Sequence, residues 1–207
     1  MTTIYLMRHS EYFKPKSVNN NDPYQIQNEK LPLTINGEKL AMEKSHNPEL
    51  NYFNFVVSSN YVRAISTAKY FTNDVIYIDE SFGERKFGVD KKEELEEGFG
   101  RKQFDDFDYK YKNGESLNDV IKREEKALND ILKKCKDKKV LIVGHSTSFA
   151  ALLSKWCKVS YEDPYYYNDK EIFDGKWNYC ETFKLEFDGD NLINITNIRW
   201  YNHLFII

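Results

Sequence analysis

The run KVLIVGH, residues 139–145, places four aliphatic residues in a row before Gly144 and His145. No polar residue alternates within it, so both of its faces are buried, the mark of an interior strand in a parallel sheet. SFAALLSKWC, 148–157, reads as the helix that follows. Working outward, TTIYLMR at 2–8 is a first, largely buried strand, and FNFVVSS at 53–59 is a second apolar run of strand length. The segment after it, NYVRAISTAKYF, has helical spacing through Val62, Ile65, Ala68 and Tyr70 or Phe71, and VIYID at 75–79 is a short strand.

LTINGEKLAMEKSHN at 33–47 predicts a helix capped by Thr34. The clearest amphipathic helix is ESLNDVIKREEKALNDILKKC, 115–135, with Leu117, Val120, Ile121, Leu128, Ile131 and Leu132 on one stripe and Ser116 as cap. TFKLEFD and INITNIRW alternate and predict two further strands. Residues 12–32 hold Pro15, Pro23 and Pro32 and read as a loop, while the charged stretch 83–115 mixes helix and loop character. Buried strands alternating with amphipathic helices define an α/β layered fold with a largely parallel sheet. With no internal repeat or linker, the 207 residues are expected to form one domain, 1–207.

Composition narrows the function classes. The chain is 41% hydrophobic and 30% charged, with net charge -3, so no overall basic field draws it to nucleic acid or an anionic membrane. Mixed runs such as KKEELEE at 91–97 are solvated faces. Cys135, Cys157 and Cys180 are odd in number and widely spaced, and no Cys/His cluster calls for a metal. There is no secretory leader pattern and no apolar run near membrane length, so a cytoplasmic protein with reduced thiols is expected.

Ligands of open α/β sheets gather beyond the carboxyl ends of the strands. Three such ends carry reactive side chains here: Arg8 and His9, the segment Ser58 to Arg63, and His145. One histidine at a strand end is usually structural; two, each with an arginine nearby, point to a site. Arginine suits a bidentate grip on phosphate. A neutral imidazole beside such cations, its pKa lowered by them, can act as a nucleophile toward phosphorus. The acid for the leaving oxygen is sought in ESFGERKFG, 80–88, where Glu84 lies between Gly83 and Gly88 after a strand.

The segments MRHSE (7–11), LTINGEKLA (33–41), SSNYVRAISTA (58–68), ERKFG (84–88), NGESLNDVIKR (113–123) and VLIVGHS (140–146), in that order, resemble the histidine phosphatase superfamily. The match is to its smaller, phosphoglycerate mutase-like branch 1. The resemblance implies a three-layer α/β/α sandwich with a mostly parallel central sheet. It implies His9 as the phosphate-accepting nucleophile, Arg8, Arg63 and His145 as phosphoryl ligands, and Glu84 as the acid/base. No cofactor or metal is implied; the partner is a small phosphorylated substrate or inorganic phosphate.

Two departures qualify the pattern. Where the family places Gly after both histidines, this chain has Ser10 and Ser146, which either add hydroxyl donors to phosphate or are tolerated small residues. The segment EYFKPK and the pair Ser146-Thr147 replace the Asn-containing segments of the mutases, which favours hydrolysis over phosphoryl return. A phosphoglycerate-type mutase and a catalytically silent phospho-ligand-binding module are the alternatives. Substrate identity and oligomeric state are not readable. The loop 12–32, with Lys14 and Lys16 as possible anion attractors, and the aromatic stretch 156–179 are the expected walls of the site mouth.

Overall fold

The computed structural model describes residues 1–15 and 21–198. In chain order the elements are β1 (Thr2–Arg8), α1 (Tyr24–Glu29), α2 (Ile35–Ser45), β2 (Phe55–Ser58), α3 (Val62–Ala68) and β3 (Ile76–Ile78). There follow α4 (Phe99–Asp105), α5 (Leu117–Lys134), β4 (Lys139–Gly144) and α6 (Ser146–Leu153). The hairpin β5 (Tyr165–Tyr167) and β6 (Lys170–Phe173) and the pair β7 (Thr182–Asp188) and β8 (Asn191–Asn197) complete the order.

Period-two alternation in two neighbouring strands builds both faces of the core. Ile4 and Leu6 of β1 and Val140 and Ile142 of β4 join one apolar cluster with Leu128 and Leu132 of α5 and Phe149 and Leu152 of α6. Tyr5, Met7, Leu141 and Val143, one residue out of phase, join another with Ala64 and Ala68 of α3. Helices therefore cover both faces, which makes three layers, as expected. The six strands run β3-β2-β4-β1-β7-β8. The first four are mutually parallel, and β7 and β8 are antiparallel additions at one edge.

Register brings three strand ends level. Arg8 pairs with Gly144, and the His9 amide donates to the Gly144 carbonyl at 2.9 Å. Ser58 pairs with Val143, and the Ser59 amide donates to the Val143 carbonyl at 3.0 Å. One parallel register thus sets Arg8-His9, Ser59 and His145 along one carboxyl edge.

The helix caps follow local chemistry. Thr34 accepts from the Gly37 amide, and Ser116 forms a reciprocal capping box with Asp119 at the start of α5. Three expectations need correction. The proline-rich stretch 12–32 contains α1; Pro23 stands just before it, and a six-residue helix whose one aliphatic residue is Ile26 carries no periodic signal. Helix α6 begins at Ser146, two residues earlier than predicted, and stops at Leu153, after which the chain turns. Strand β8 ends at Asn197, and Arg199, Trp200, Lys16 and His203 lie outside the described residues. Among the described residues no helix is long and apolar enough to cross a membrane.

Candidate active site

His9 is the first residue past β1, 4% exposed, and its tautomer is set by two partners of opposite kind. Nδ1 lies 2.7 Å from the Ser10 carbonyl, an acceptor only, so Nδ1 carries the proton. Nε2 lies 3.1 Å from Nε of Arg63, a donor only, so Nε2 presents its lone pair. Burial, then the Arg63 and Arg8 charges, hold this imidazole well below the usual histidine range. The ring is neutral, with its basic nitrogen facing cations.

Arg63 reaches the site because it occupies the first turn of α3, directly after the β2 end. Its guanidinium is 3% exposed and spreads over three partners. Besides His9, Nη1 donates to the Asn28 carbonyl at 2.5 Å and Nη2 lies 3.4 Å from Nδ1 of His145. His145 is fully buried, with Nε2 3.0 Å from Ser59 Oγ. Since Nδ1 faces a donor, its proton sits on Nε2 and points to Ser59. Burial and then Arg63 lower its pKa well below normal too. The two rings stand edge to face, with centroids 5.1 Å apart.

Arg8, at the end of β1, donates through Nη1 to the Trp177 carbonyl and lies over the Tyr179 ring at 4.5 Å. Its Nε is buried without a hydrogen-bond partner among the described residues. A buried guanidinium N–H left in this way fits an anionic oxygen. Glu84 follows the short turn Glu80–Phe82, its side chain 12% exposed, with Oε1 accepting from the Arg85 amide at 2.9 Å and 3.5 Å from Arg85 Nη1. Its loop packs on Tyr61, whose ring meets His145 at 4.4 Å, and its carboxylate opposes the lowering that burial imposes on Arg8 and Arg63.

The structure thus brings together His9, Arg8, Arg63, His145 and Glu84. It corrects the reading of Ser10 as a phosphate donor. The Ser10 hydroxyl donates to the Gly37 carbonyl at 2.7 Å, and its amide donates to Thr67 Oγ1 at 2.9 Å, so both donors serve the protein. Ser146 is the first residue of α6 and half-buried, at a helix end that carries unpaired N–H groups and partial positive charge.

Sequence reading did not single out Ser59, Asn28, Tyr12 and Tyr179, although each lies in a segment expected at the site or its mouth: 58–63, 12–32 and 156–179. Tyr12 stands edge-on to His9 at 5.2 Å and its ring also underlies Arg63. Position relative to the RH and RA motifs was the available signal for Ser59 and Tyr12; the other two are remote in sequence. Beside this cluster a cavity of about 700 Å³ is lined by Tyr12, Lys14, Tyr24, Asn28, Asp90 and Lys91 among others. Its walls come from 12–15, 21–31 and 90–93, while the stretch 156–179 reaches the cluster itself through Tyr179, over Arg8 and beside His9, and through the Trp177 carbonyl. That stretch mostly packs inward: Tyr165, Phe173, Trp177 and Phe183 meet at 5.1–6.5 Å.

Two neutral histidines and two arginines at one carboxyl edge of an α/β/α sandwich make a buried cationic cradle of the kind that suits an anion. The model of the histidine phosphatase superfamily (branch 1) matches residues 4–190. The chain belongs to that superfamily, and on that membership it is an enzyme of the histidine phosphatase type. Solved structures agree on the fold. A mycobacterial glucosyl-3-phosphoglycerate phosphatase superposes with TM-score 0.68 at 17% identity, over 96% of this chain and 97% of that one. An Entamoeba histolytica phosphoserine phosphatase gives 0.65 at 20%, over 95% and 97%. Bacillus stearothermophilus YhfR gives 0.63 at 23%, over 93% and 95%. Among curated protein sequences none matches the chain.

Proposed function

We propose that this chain hydrolyses the phosphomonoester of a small metabolite, without a metal ion, through a phosphohistidine on His9. The observation that carries the reading is the position of Arg63, which joins Nε2 of His9 to Nδ1 of His145 in a buried, cationic cradle. A phosphoryl group entering between them exchanges these contacts for N–H···O bonds from Arg63, Arg8 and the first turn of α6.

The Nε2 lone pair of His9 attacks phosphorus, forming the N–P bond while the bond to the ester oxygen breaks. Glu84, protonated at this stage, gives its proton to the departing alkoxide. The carboxylate then takes a proton from water as that water attacks phosphorus, and the N–P electrons return to Nε2. Inorganic phosphate leaves and Glu84 is protonated again.

The leaving group is assigned to the 700 Å³ cavity, where Tyr12, Tyr24 and Lys14 face it with polar and aromatic surface. The comparison proteins support a phosphorylated small molecule as substrate. The mycobacterial phosphatase was solved with vanadate and with inorganic phosphate, and the Entamoeba histolytica enzyme with 3-phosphoglyceric acid.

The test is phosphate release from an aryl phosphate and a metabolite panel in the presence of chelator, with wild type and His9→Ala. Turnover by wild type and its loss in His9→Ala is expected. Activity that persists in the variant, or that vanishes with chelator, overturns the mechanism. Including 3-phosphoglycerate and following both free phosphate and its 2-isomer separates hydrolysis from mutase action.

A further inference from the structure

Arg123, in the second turn of α5, makes a two-pronged ion pair with Glu115 just before that helix. Nε donates to Oε1 at 2.9 Å and Nη2 to Oε2 at 3.1 Å. The pair does not end there. Arg123 Nη1 donates to the Ser81 carbonyl at 2.6 Å, and Nη2 approaches the Glu84 carbonyl at 3.4 Å. Glu115 takes the Lys86 amide on Oε2 at 2.9 Å, and its own amide donates to the Lys86 carbonyl at 2.8 Å. The loop 81–86 is therefore held at its start, its middle and its end by two side chains that are themselves locked together.

The loop approaches this clamp too closely for larger residues. A Cβ on Gly88, where φ is +77°, would lie 2.2 Å from the Gly114 amide nitrogen, so the NGE segment 113–115 is pressed against 86–88. Both clamp side chains are mostly buried, at 21% and 17% exposure, where a charge-assisted, bidentate contact is strongest. Beyond the loop and Glu115, Arg123 Nη1 lies 3.8 Å from Glu124, and no hydrogen bond to His9, Arg8, Arg63 or His145 is present among the described residues. The hydrogen bonds of the clamp reach the acid's backbone and none of the cradle side chains. The Arg123 charge adds, after burial, Arg63 and His9, to the lowering of the His145 pKa, so Glu115→Gln is the variant that leaves that charge in place.

We infer that the Arg123–Glu115 pair positions Glu84, fixing its carboxyl where it can protonate the leaving oxygen. The inference rests on the assignment of Glu84 as the acid. A loosened loop then costs proton delivery, and only poor leaving groups need that proton. Phosphate binding and attack by His9 stay intact.

The experiment measures kcat/KM against leaving-group pKa over a series from 4-nitrophenyl phosphate to alkyl phosphates, for wild type, Glu84→Gln, Arg123→Gln, Arg123→Lys and Glu115→Gln. Inhibition by vanadate reads the cradle, and thermal melting reads folding. Arg123→Gln and Glu115→Gln are expected to lose on the order of 10²-fold on alkyl phosphates, the scale of a group displaced by about an ångström. They are expected to stay near wild type on 4-nitrophenyl phosphate and in vanadate inhibition, so their dependence on leaving-group pKa steepens toward that of Glu84→Gln. Arg123→Lys, which keeps the charge but not the fork, falls between and serves where the Gln variant does not fold.

An equal loss on all substrates, or an unchanged dependence beside a steep Glu84→Gln, overturns the positioning role while leaving Glu84 as the acid. A dependence in Glu84→Gln as shallow as wild type overturns the acid assignment itself, and the positioning role falls with it.

Discussion

Nε of Arg63 donates to Nε2 of His9 at 3.1 Å, so the atom proposed to attack phosphorus is held by the guanidinium assigned to grip the phosphoryl group. Any anion that displaces this contact receives the N–H while the lone pair is released toward phosphorus. The arginine that adds to burial in keeping the imidazole neutral is thus also the one that yields to the substrate in the proposed mechanism.

Replacing Arg63 by Lys leaves a single ammonium where three directions of donation were used. Losing charge-assisted hydrogen bonds of about 1.5–3 kcal/mol each lowers kcat/KM by about 10–100-fold. Steady-state kinetics with 4-nitrophenyl phosphate, alongside vanadate inhibition, checks this.

A pH prediction follows from the same contact. Burial and then Arg63 depress the His9 pKa, so the nucleophile stays unprotonated below the usual histidine range. In Arg63→Gln one of those causes is removed and the pKa rises, so the acid limb of kcat/KM moves to higher pH. The comparison is between two profiles on one substrate, which cancels the substrate's own ionisation. An acid limb that stays in place contradicts the assignment.

Glu124 supplies a second pH effect, on stability. It is fully buried, neither carboxyl oxygen has a hydrogen-bond partner among the described residues, and the Ser148 hydroxyl beside it is aimed at the His145 carbonyl. Burial pushes its pKa up to about 8, against the pull of Arg123. Between the ordinary glutamate pKa and that value the unfolded chain releases a proton that the folded chain keeps, so stability falls as pH rises through this window and levels off above it. Glu124→Gln removes this slope, and its stability relative to wild type rises between pH 5 and pH 8 by on the order of a few kcal/mol. Urea unfolding at the two pH values measures it.

Ser10 gives a contrast between stability and binding. Its hydroxyl holds the Gly37 carbonyl in the first turns of α2, so Ser10→Gly costs about 1 kcal/mol of stability and leaves vanadate inhibition unchanged. Gly37→Ala is far more damaging, because a Cβ there would lie 1.9 Å from the Glu11 carbonyl oxygen. Chemical denaturation of both variants, with vanadate titration of the first, separates the two effects.

Ser59→Ala removes the acceptor for the Nε2 proton of His145 and frees that ring to change tautomer. Losing one hydrogen bond of about 1 kcal/mol predicts a five- to tenfold weaker vanadate inhibition, roughly. Unchanged inhibition removes Ser59 from the site.

The strands at 139–144 and 2–8, the amphipathic helix 117–134 and the residues that close the strands were legible because each is a local pattern: a buried run, a 3.6-residue stripe, a polar pair at a strand end. His9, Arg8, Arg63 and His145 were found that way, together with the family resemblance of their motifs. Helix 24–29 escaped because it has no apolar stripe of its own and is tied instead to remote groups, Tyr24 to the Asp90 carbonyl and Gln25 to the Tyr61 hydroxyl.

Sequence by itself determined the elements that carry a periodic stripe or a buried run, since these follow from short-range periodicity, and, with the resemblance of the motifs, which side chains end up at the sheet's carboxyl edge. Tertiary structure decided the rest: that Arg63 bridges two histidines 136 residues apart in the chain, that the Ser10 hydroxyl turns away from the site, and that Arg123 and Glu115 hold the loop of Glu84. Hydrogen-bond partners of that kind are set by the strand order β3-β2-β4-β1-β7-β8, which brings together segments that no local pattern relates.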